Sequence, residues 1–229
     1  MHQEIPALRG PYGLGELVNK IETSATSLKK RLRTARKKIK VLAKEYRRIA
    51  KEKGLYAVAV TLTYAREKDF CPKHISRFIN CLRAKLKRQG HQLPYIWVLE
   101  RAGVLHYHLA VWLPRGSKLD PADLAKWWPW GRTWNEACRK VSAWIHYLSK
   151  RGSKTELPSG ARVFGSGGLD VKAKEVVQRS MLPLWLKAVL PPNAMIKRVR
   201  KLGWVNVDTK EIYESPWEWT SRGCRLKAK

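Results

Sequence analysis

Two histidines separated by a single residue lie inside the apolar, strand-like segment 98–114. Residues i and i+2 of a β-strand point to the same side, so His106 and His108 are expected to project together. Glu100 precedes a predicted tight turn. Pairing of Glu100 with Val104 across that turn would place its carboxylate diagonally beside His106 on one sheet face. Two imidazoles and a carboxylate can hold a divalent metal ion and leave coordination positions open for chemistry.

The histidine pair alone does not identify a metal centre. The chain contains six histidines among 229 residues, and short motifs of this kind also arise by chance. The same spacing fits two imidazoles that are packed in a sheet and hydrogen-bonded to their neighbours. Other parts of the sequence have to distinguish these two roles.

The chain carries a large excess of positive charge. Its 47 Lys and Arg residues outnumber 18 Asp and Glu residues, which gives a net charge of +29 and a pI near 10.4. A field of this sign attracts polyanions and repels basic partners. Nucleic acid is therefore the first expected partner, and an anionic membrane surface is the second. The 11 tryptophans suit stacking on unpaired bases, although packing in a core is their commoner use.

The cysteines and the hydropathy pattern bear on the compartment. The four cysteines are dispersed and form no CxxC pair, which indicates reduced thiols in a cytoplasm rather than a disulfide framework or a zinc knuckle. No apolar run approaches the ~20 residues needed to span a bilayer, and the N-terminal residues lack a signal-peptide core. We expect a cytoplasmic protein with no membrane partner.

Changes in composition divide the chain into four parts. Residues 1–22 are nearly neutral and are interpreted as a tail, and residues 23–53 as a strongly basic amphipathic helix that stops at Gly54. The apolar residues of this helix recur at steps of four and three, which fits either packing on its own domain or self-association. Residues 54–171 are expected to form the main domain, and residues 172–229 a basic C-terminal extension.

The pattern of the main domain predicts an α+β fold. The strand 55–64 has one bulky apolar face and one small face that carries Thr61 and Thr63. The predicted elements are a strand at 55–64, a helix at 72–89, strands at 94–100 and 104–113, a helix at about 133–151 and a short strand from Arg162. This β-α-β-β-α-β order is typical of a ferredoxin-like antiparallel sheet with helices on one side. A helix broken at Pro183 and a hairpin near Asp208 are expected in the extension.

A second set of reactive side chains is predicted on the helix 133–151. Tyr147 and Lys150 are three residues apart, so they share one helix face. A tyrosine phenol is mostly protonated at neutral pH, and a nearby ammonium group or a metal-polarised phosphate makes its attack feasible. A tyrosine and a lysine one turn apart are also common on any amphipathic helix.

Taken in order, these motifs resemble those of the HUH endonuclease superfamily, and more narrowly of rolling-circle replication initiators of filamentous phages and related plasmids. The resemblance covers about residues 55–170. The TLTY strand that ends at Tyr64 is similar to the first motif, and residues 106–108 to the metal motif, with Glu100 as the third ligand. Tyr147 and Lys150 are similar to the nucleophile motif.

The resemblance implies a DNA-nicking enzyme. Its metal would be Mg²⁺ or Mn²⁺, its nucleophile Tyr147, and its product a 5′-phosphotyrosine with a free 3′-OH that a polymerase extends. The substrate would be single-stranded or hairpin DNA at a replication origin, with host helicase and polymerase as further partners in a bacterial cytoplasm. Arg132 and Lys154 are expected to contact DNA. Thr61 and Thr63 are expected either to position its backbone or to serve only sheet packing.

The chain departs from many relatives on the tyrosine helix. Where these relatives carry a second tyrosine and a further lysine, this chain has Ala143, Trp144 and His146. A single nucleophile is therefore expected. A single-tyrosine transposase of the same superfamily would use the same residues on different DNA. A non-catalytic, basic nucleic-acid-binding protein would leave the histidines with a structural role only.

Overall fold

The computed structural model describes residues 14–138, 144, 157–200, 202–221 and 223–227. The helices are α1 (Leu14–Glu52), α2 (His74–Arg88), α3 (Pro121–Trp127), α4 (Val171–Met181) and α5 (Leu184–Val189). The strands of the main sheet are β1 (Leu55–Tyr64), β2 (Tyr95–Ala102), β3 (Val104–Pro114), β4 (Gly131–Ala137) and β5 (Phe164–Gly167). The C-terminal strands are β6 (Ile196–Val199), β7 (Gly203–Asn206), β8 (Ile212–Tyr213), β9 (Trp217–Thr220) and β10 (Gly223–Leu226).

The main sheet has five strands in the order β4-β1-β3-β2-β5, and every neighbouring pair is antiparallel. The predicted α+β fold with an antiparallel sheet is therefore confirmed. The strands predicted at 55–64, 94–100 and 104–113 are all present. They form the three central positions of the sheet. Along β1, bulky side chains alternate with small ones.

Helices cover both faces of this sheet, which corrects the expected one-sided arrangement. The bulky face of β1 packs against α2 and α3 in a core that includes Leu62, Phe78 and Leu124. The small face packs against α1 and α4. Small side chains such as Ala57 and Ala110 belong to this second core, and they let the helices approach the sheet closely. The two cores hold the central strands rigidly from both sides.

The basic helix α1 packs on its own domain. The side chains of Ile39, Leu42, Tyr46 and Ile49 are buried against the sheet. The Tyr46 ring stacks on Trp112 with ring centroids 4.5 Å apart, and its hydroxyl donates a hydrogen bond to the Tyr95 carbonyl at 2.7 Å. Of the two alternatives for the apolar stripe, the structure contains the intramolecular one. The helix begins at Leu14, inside the segment interpreted as a tail.

The junction between α1 and α4 is held by an ion-pair network. Asp170 is the N-cap of α4 and accepts a hydrogen bond from the Ala173 N–H at 2.7 Å. Arg48 of α1 donates to both carboxylate oxygens of Asp170, at 2.8 and 2.9 Å. Arg48 also pairs with Glu45 and Glu52. One arginine therefore bridges three carboxylates and links the two helices.

The helix predicted at 133–151 is wrong at its start. Residues Gly131–Ala137 form β4, which pairs with β1. A short helix, α3, precedes it and was not expected. Trp144 is helical, while residues 139–143 and 145–156 lie outside the described part of the chain.

Two expectations about the secondary structure of the C-terminal segment are confirmed. The predicted helix is interrupted at Pro183, between α4 and α5, and β7 and β8 form the expected hairpin. Among the described residues, no helix is both long and apolar enough to cross a membrane.

Candidate metal centre

The hairpin β2–β3 brings the acidic residue and the two histidines together. Glu100 lies directly opposite His106, and both side chains therefore project from the same sheet face. The sequence-based register, in which Glu100 pairs with Val104, is wrong by two residues. Strand β2 continues to Ala102, which pairs with Val104, and Gly103 makes the turn with a φ of +73°. The observed register brings the carboxylate closer to the imidazole than the diagonal placement would.

Glu100, His106 and His108 form a compact donor set. One ligand atom from each residue lies within 4.8 Å of the other two. Glu100 is 2% exposed and His106 is 8% exposed, whereas His108 is half-buried. Two imidazole nitrogens and a carboxylate oxygen suit a divalent ion such as Mn²⁺ or Mg²⁺. The three residues fit a metal ion and would leave some of its coordination positions for other ligands.

A backbone hydrogen bond sets the tautomer of His106. Its Nδ1 lies 2.9 Å from the Val104 carbonyl oxygen. Because a carbonyl oxygen only accepts, Nδ1 carries the proton and donates, which leaves the lone pair of Nε2 available for a metal. This outer hydrogen bond is the usual way in which proteins orient a metal-binding histidine.

Thr61 plays the corresponding part for His108. Strand β1 lies beside β3 with Thr61 opposite His108 and Thr63 opposite His106. The Thr61 hydroxyl is 3.1 Å from His108 Nδ1. The position of both threonines on the small face next to the histidines is therefore as predicted, and Thr61 has a contact that orients a donor. A contact between either threonine and DNA stays a prediction.

The edge strand β4 extends this surface by one more strand. Arg132 lies opposite Thr63, and Trp134 lies opposite Thr61, so both side chains share the face of the histidines. Arg132 is exposed, as a phosphate contact requires. Trp134 is 66% exposed and was missed in the sequence, because residues 133–137 were interpreted as helical. The segment shows no apolar/polar alternation that would have identified it as a strand.

Trp144 lies beside the donor set. Its ring meets the His108 ring edge to face, with centroids 5.2 Å apart. Trp144 precedes Tyr147 by three residues. Tyr147, Lys150 and Lys154 themselves lie outside the described residues, so their roles stay predictions.

Two tyrosines near the hairpin point away from the metal face. Tyr64 and Tyr107 lie in the opposite core with Trp128. Burial raises the pKa of both phenols well above the ordinary value, and Tyr107 adds to the shift of Tyr64. The indole N–H of Trp128 donates to the Thr63 carbonyl at 3.1 Å. These aromatic residues support the strands from behind and stay protonated, so neither phenol is suited to attack a phosphate.

Comparison with known proteins gives one match. The model of a family described as replication-associated protein ORF2 matches residues 57–156. This segment runs from β1 past β4 and contains the whole donor set together with Tyr147. No curated protein and no solved structure matches the chain. The match is consistent with a rolling-circle replication initiator and supports a role in DNA replication.

Proposed function

We propose that this protein is a rolling-circle replication initiator of the HUH type, which nicks single-stranded or hairpin DNA at a replication origin. The observation that carries the proposal is the convergence of Glu100, His106 and His108 within the segment matched by a replication-associated family. The strongly basic composition provides the attraction for a polyanionic substrate.

The three donors are proposed to hold Mg²⁺ or Mn²⁺. When bound, the ion would polarise the scissile phosphate and offset the charge that develops in the transition state. His106 would bind the ion through Nε2, because its Nδ1–H donates a hydrogen bond to the Val104 carbonyl oxygen. Thr61 would hold the His108 ring in a fixed orientation. The mixed nitrogen and oxygen ligands favour Mn²⁺ in affinity, while the abundance of Mg²⁺ in cells favours that ion.

Tyr147 is the proposed nucleophile. Trp144 contacts His108, and a helix that includes both Trp144 and Tyr147 would present the two residues on one face. In the reaction, a bond forms between Tyr147 Oη and phosphorus while the bond between phosphorus and the 3′-oxygen breaks. The phenolic proton is transferred to the departing 3′-oxygen. The products are a 5′-phosphotyrosine and a free 3′-OH for polymerase extension, and attack by a 3′-OH reverses the step.

Lys150 and the basic surfaces are proposed to hold the DNA. Lys150 would orient the reacting phosphate from one turn beyond Tyr147. Arg132 and Lys154 would contact neighbouring phosphates, and Thr61 and Thr63 would line the strand beside them. The solvent side of α1 adds a regular row of exposed cations: Arg33, Lys37, Lys40, Lys44, Arg47 and Lys51.

Formation of a covalent adduct tests the proposal. Labelled single-stranded oligonucleotides that tile the replicon encoding the protein are incubated with the full chain and Mn²⁺, and SDS-resistant label on the protein is measured. We expect an adduct with the wild type and none with Tyr147→Phe, while DNA binding is retained. The matched control is Tyr213→Phe, which changes a tyrosine of the C-terminal sheet and should leave the yield unchanged. An undiminished adduct with Tyr147→Phe would refute the assignment.

A further inference from the structure

We infer that Trp134 is a stacking platform for an unpaired base of the DNA strand, next to the phosphate held at the histidines. The inference deepens the proposed function and rests on it. It concerns how the unpaired substrate is held beside the metal centre, and it assigns a role to an exposed tryptophan that the nicking chemistry does not use.

The position of Trp134 is set by strand register. Thr61 of β1 lies between two cross-strand partners, His108 on one side and Trp134 on the other. All three side chains project from one sheet face. Because neighbouring strands are ~4.8 Å apart, the strand of Trp134 lies about 10 Å from that of His108. A nucleotide can bridge this separation, with its phosphate at the histidines and its base over the indole.

Exposure and composition favour a base as the occupant. Trp134 is 66% exposed, whereas Trp112 and Trp128, which are packed in the two cores, are at most 1% exposed. A large aromatic ring held on a rigid strand beside cationic groups is the arrangement that single-strand-binding proteins use, since every base offers a face for stacking. The net charge of +29 makes a polyanion a better fit for this surface than a basic or neutral partner.

The charges along β4 also give the path a direction. Arg132, Trp134 and Glu136 alternate on the metal face, and all three are exposed. Thr63 pairs with His106 on one neighbouring strand and with Arg132 on the other. Arg132 can therefore hold a phosphate on the side of the indole that is nearer to the metal centre. Glu136 is farther from the donor set and repels phosphates. The strand is therefore expected to leave the metal centre past Arg132, with a base turned onto Trp134.

The test compares two probes of equal charge. One is a labelled dT oligonucleotide of about 15 nucleotides, and the other has the same phosphates with every base replaced by an abasic residue. Affinities are measured by fluorescence anisotropy with the full chain carrying Tyr147→Phe, so that cleavage does not interfere. We expect tighter binding of the dT probe, and we expect Trp134→Ala to weaken that binding about tenfold. The affinity for the abasic probe should not change.

Control variants separate stacking from other effects. Trp134→Phe should retain most of the preference for the dT probe. Trp217→Ala, which removes another exposed tryptophan (45% exposed) on β9, should retain all of it. Arg132→Gln should weaken the binding of both probes, because it removes a phosphate contact. Unchanged Mn²⁺ affinity in Trp134→Ala would show that the neighbouring donor set is intact.

Several outcomes would overturn the inference. It is wrong if Trp134→Ala keeps the preference for the dT probe, or if it weakens the binding of both probes equally. It is also wrong if this variant changes only the sedimentation coefficient, since Trp134 would then be a self-association contact. If the protein that retains Trp134 binds neither probe, the proposed function itself fails. If both probes bind but Trp134→Ala does not reduce the preference for the dT probe, the nicking proposal stands and only the role of Trp134 is wrong.

Discussion

Glu100 and His106 face each other directly across the β2–β3 hairpin. The Glu100 side chain is 2% exposed, and one of its carboxylate oxygens lies within 4.8 Å of a ring nitrogen of each histidine. The neighbouring imidazole keeps its Nε2 lone pair because its Nδ1 proton is bound to Val104. The pair could therefore supply two ligands to a divalent cation.

Removal of a ligand should abolish tight metal binding. His106→Ala and Glu100→Gln should each lower the affinity for Mn²⁺ by at least tenfold, because removal of even an outer hydrogen bond costs about 10- to 100-fold. Isothermal titration calorimetry measures the change. His91→Ala, which removes an exposed histidine after α2, is the control and should leave the affinity unchanged. Equal affinities for all these variants would exclude this donor set.

The contact between Thr61 and His108 should tune the same site without supplying a ligand. Thr61→Val removes the hydroxyl that lies 3.1 Å from His108 Nδ1 and keeps the shape of the side chain. We expect Mn²⁺ affinity to fall about tenfold, with little loss of thermal stability. Thr133→Val on β4 serves as the control. Thr133 lies between Arg132 and Trp134 along the strand, so its side chain projects from the opposite face of the sheet. A role of Thr61 in sheet packing alone predicts a lower melting temperature and unchanged metal affinity.

The exposed cations of α1 should contribute to DNA affinity by binding phosphates. Replacement of Lys40 and Lys44 by Gln should weaken binding of single-stranded DNA. The slope of log K against log salt should become shallower by about 0.7 for each phosphate that is no longer neutralised. Arg115→Gln with Lys118→Gln, two exposed cations beyond the opposite end of β3, is the control. A slope that changes equally in both variants would show that only net charge matters.

The Asp170 carboxylate should make stability depend on pH. Burial opposes its ionisation, but hydrogen bonds from Ala173 and Arg48 outweigh this effect and lower its pKa below the ordinary value. A carboxyl group whose pKa is lower in the folded state stabilises the fold above its unfolded pKa, near 4, and loses that contribution as pH falls through the folded pKa. Asp170→Ala should cost about 1 kcal/mol at neutral pH, since it removes the N-cap.

Asp170→Asn separates the charge from the cap. Asparagine caps a helix as well as aspartate does, so this variant should lose less stability than Asp170→Ala. The contribution of residue 170 to stability should then no longer depend on pH. Urea unfolding at several pH values provides the measurement. Glu218→Gln, which breaks the exposed pair between Glu218 and Arg225, should have little effect at any pH. A wild-type pH profile that persists in Asp170→Asn would contradict the explanation.

Local periodicity was sufficient to predict the hairpin and its histidines. Alternation with a period of two determines which side chains of one strand share a face. The common face of His106 and His108, and that of Thr61 and Thr63, therefore follow from residues near in sequence. The register of Glu100 depends on whether the turn uses one residue or three. The backbone at Gly103 settles this through a positive φ, and the composition of the turn did not indicate it.

Strand β4 could not be found in the same way. Residues 133–137 are followed by a segment with helical periodicity, and the strand is stabilised by pairing with β1, about seventy residues earlier in the chain. The two-sided covering of the sheet has a similar cause. The apolar stripe of α1 fits a partner helix or a sheet equally well, and only the contacts of Tyr46 with Trp112 and with the Tyr95 carbonyl show which one is used.

Covalent linkage of Tyr147 to DNA beside the metal centre is the step on which the proposed function depends. It can be measured by mass spectrometry of tryptic peptides after reaction of the full chain with single-stranded origin DNA and Mn²⁺, followed by nuclease trimming. We expect a nucleotide-bearing peptide of residues 141–150, modified at its tyrosine and absent when Glu100 is replaced by Gln. A linked nucleotide on another tyrosine, or a linkage at Tyr147 that forms equally well in Glu100→Gln, would contradict the proposed mechanism.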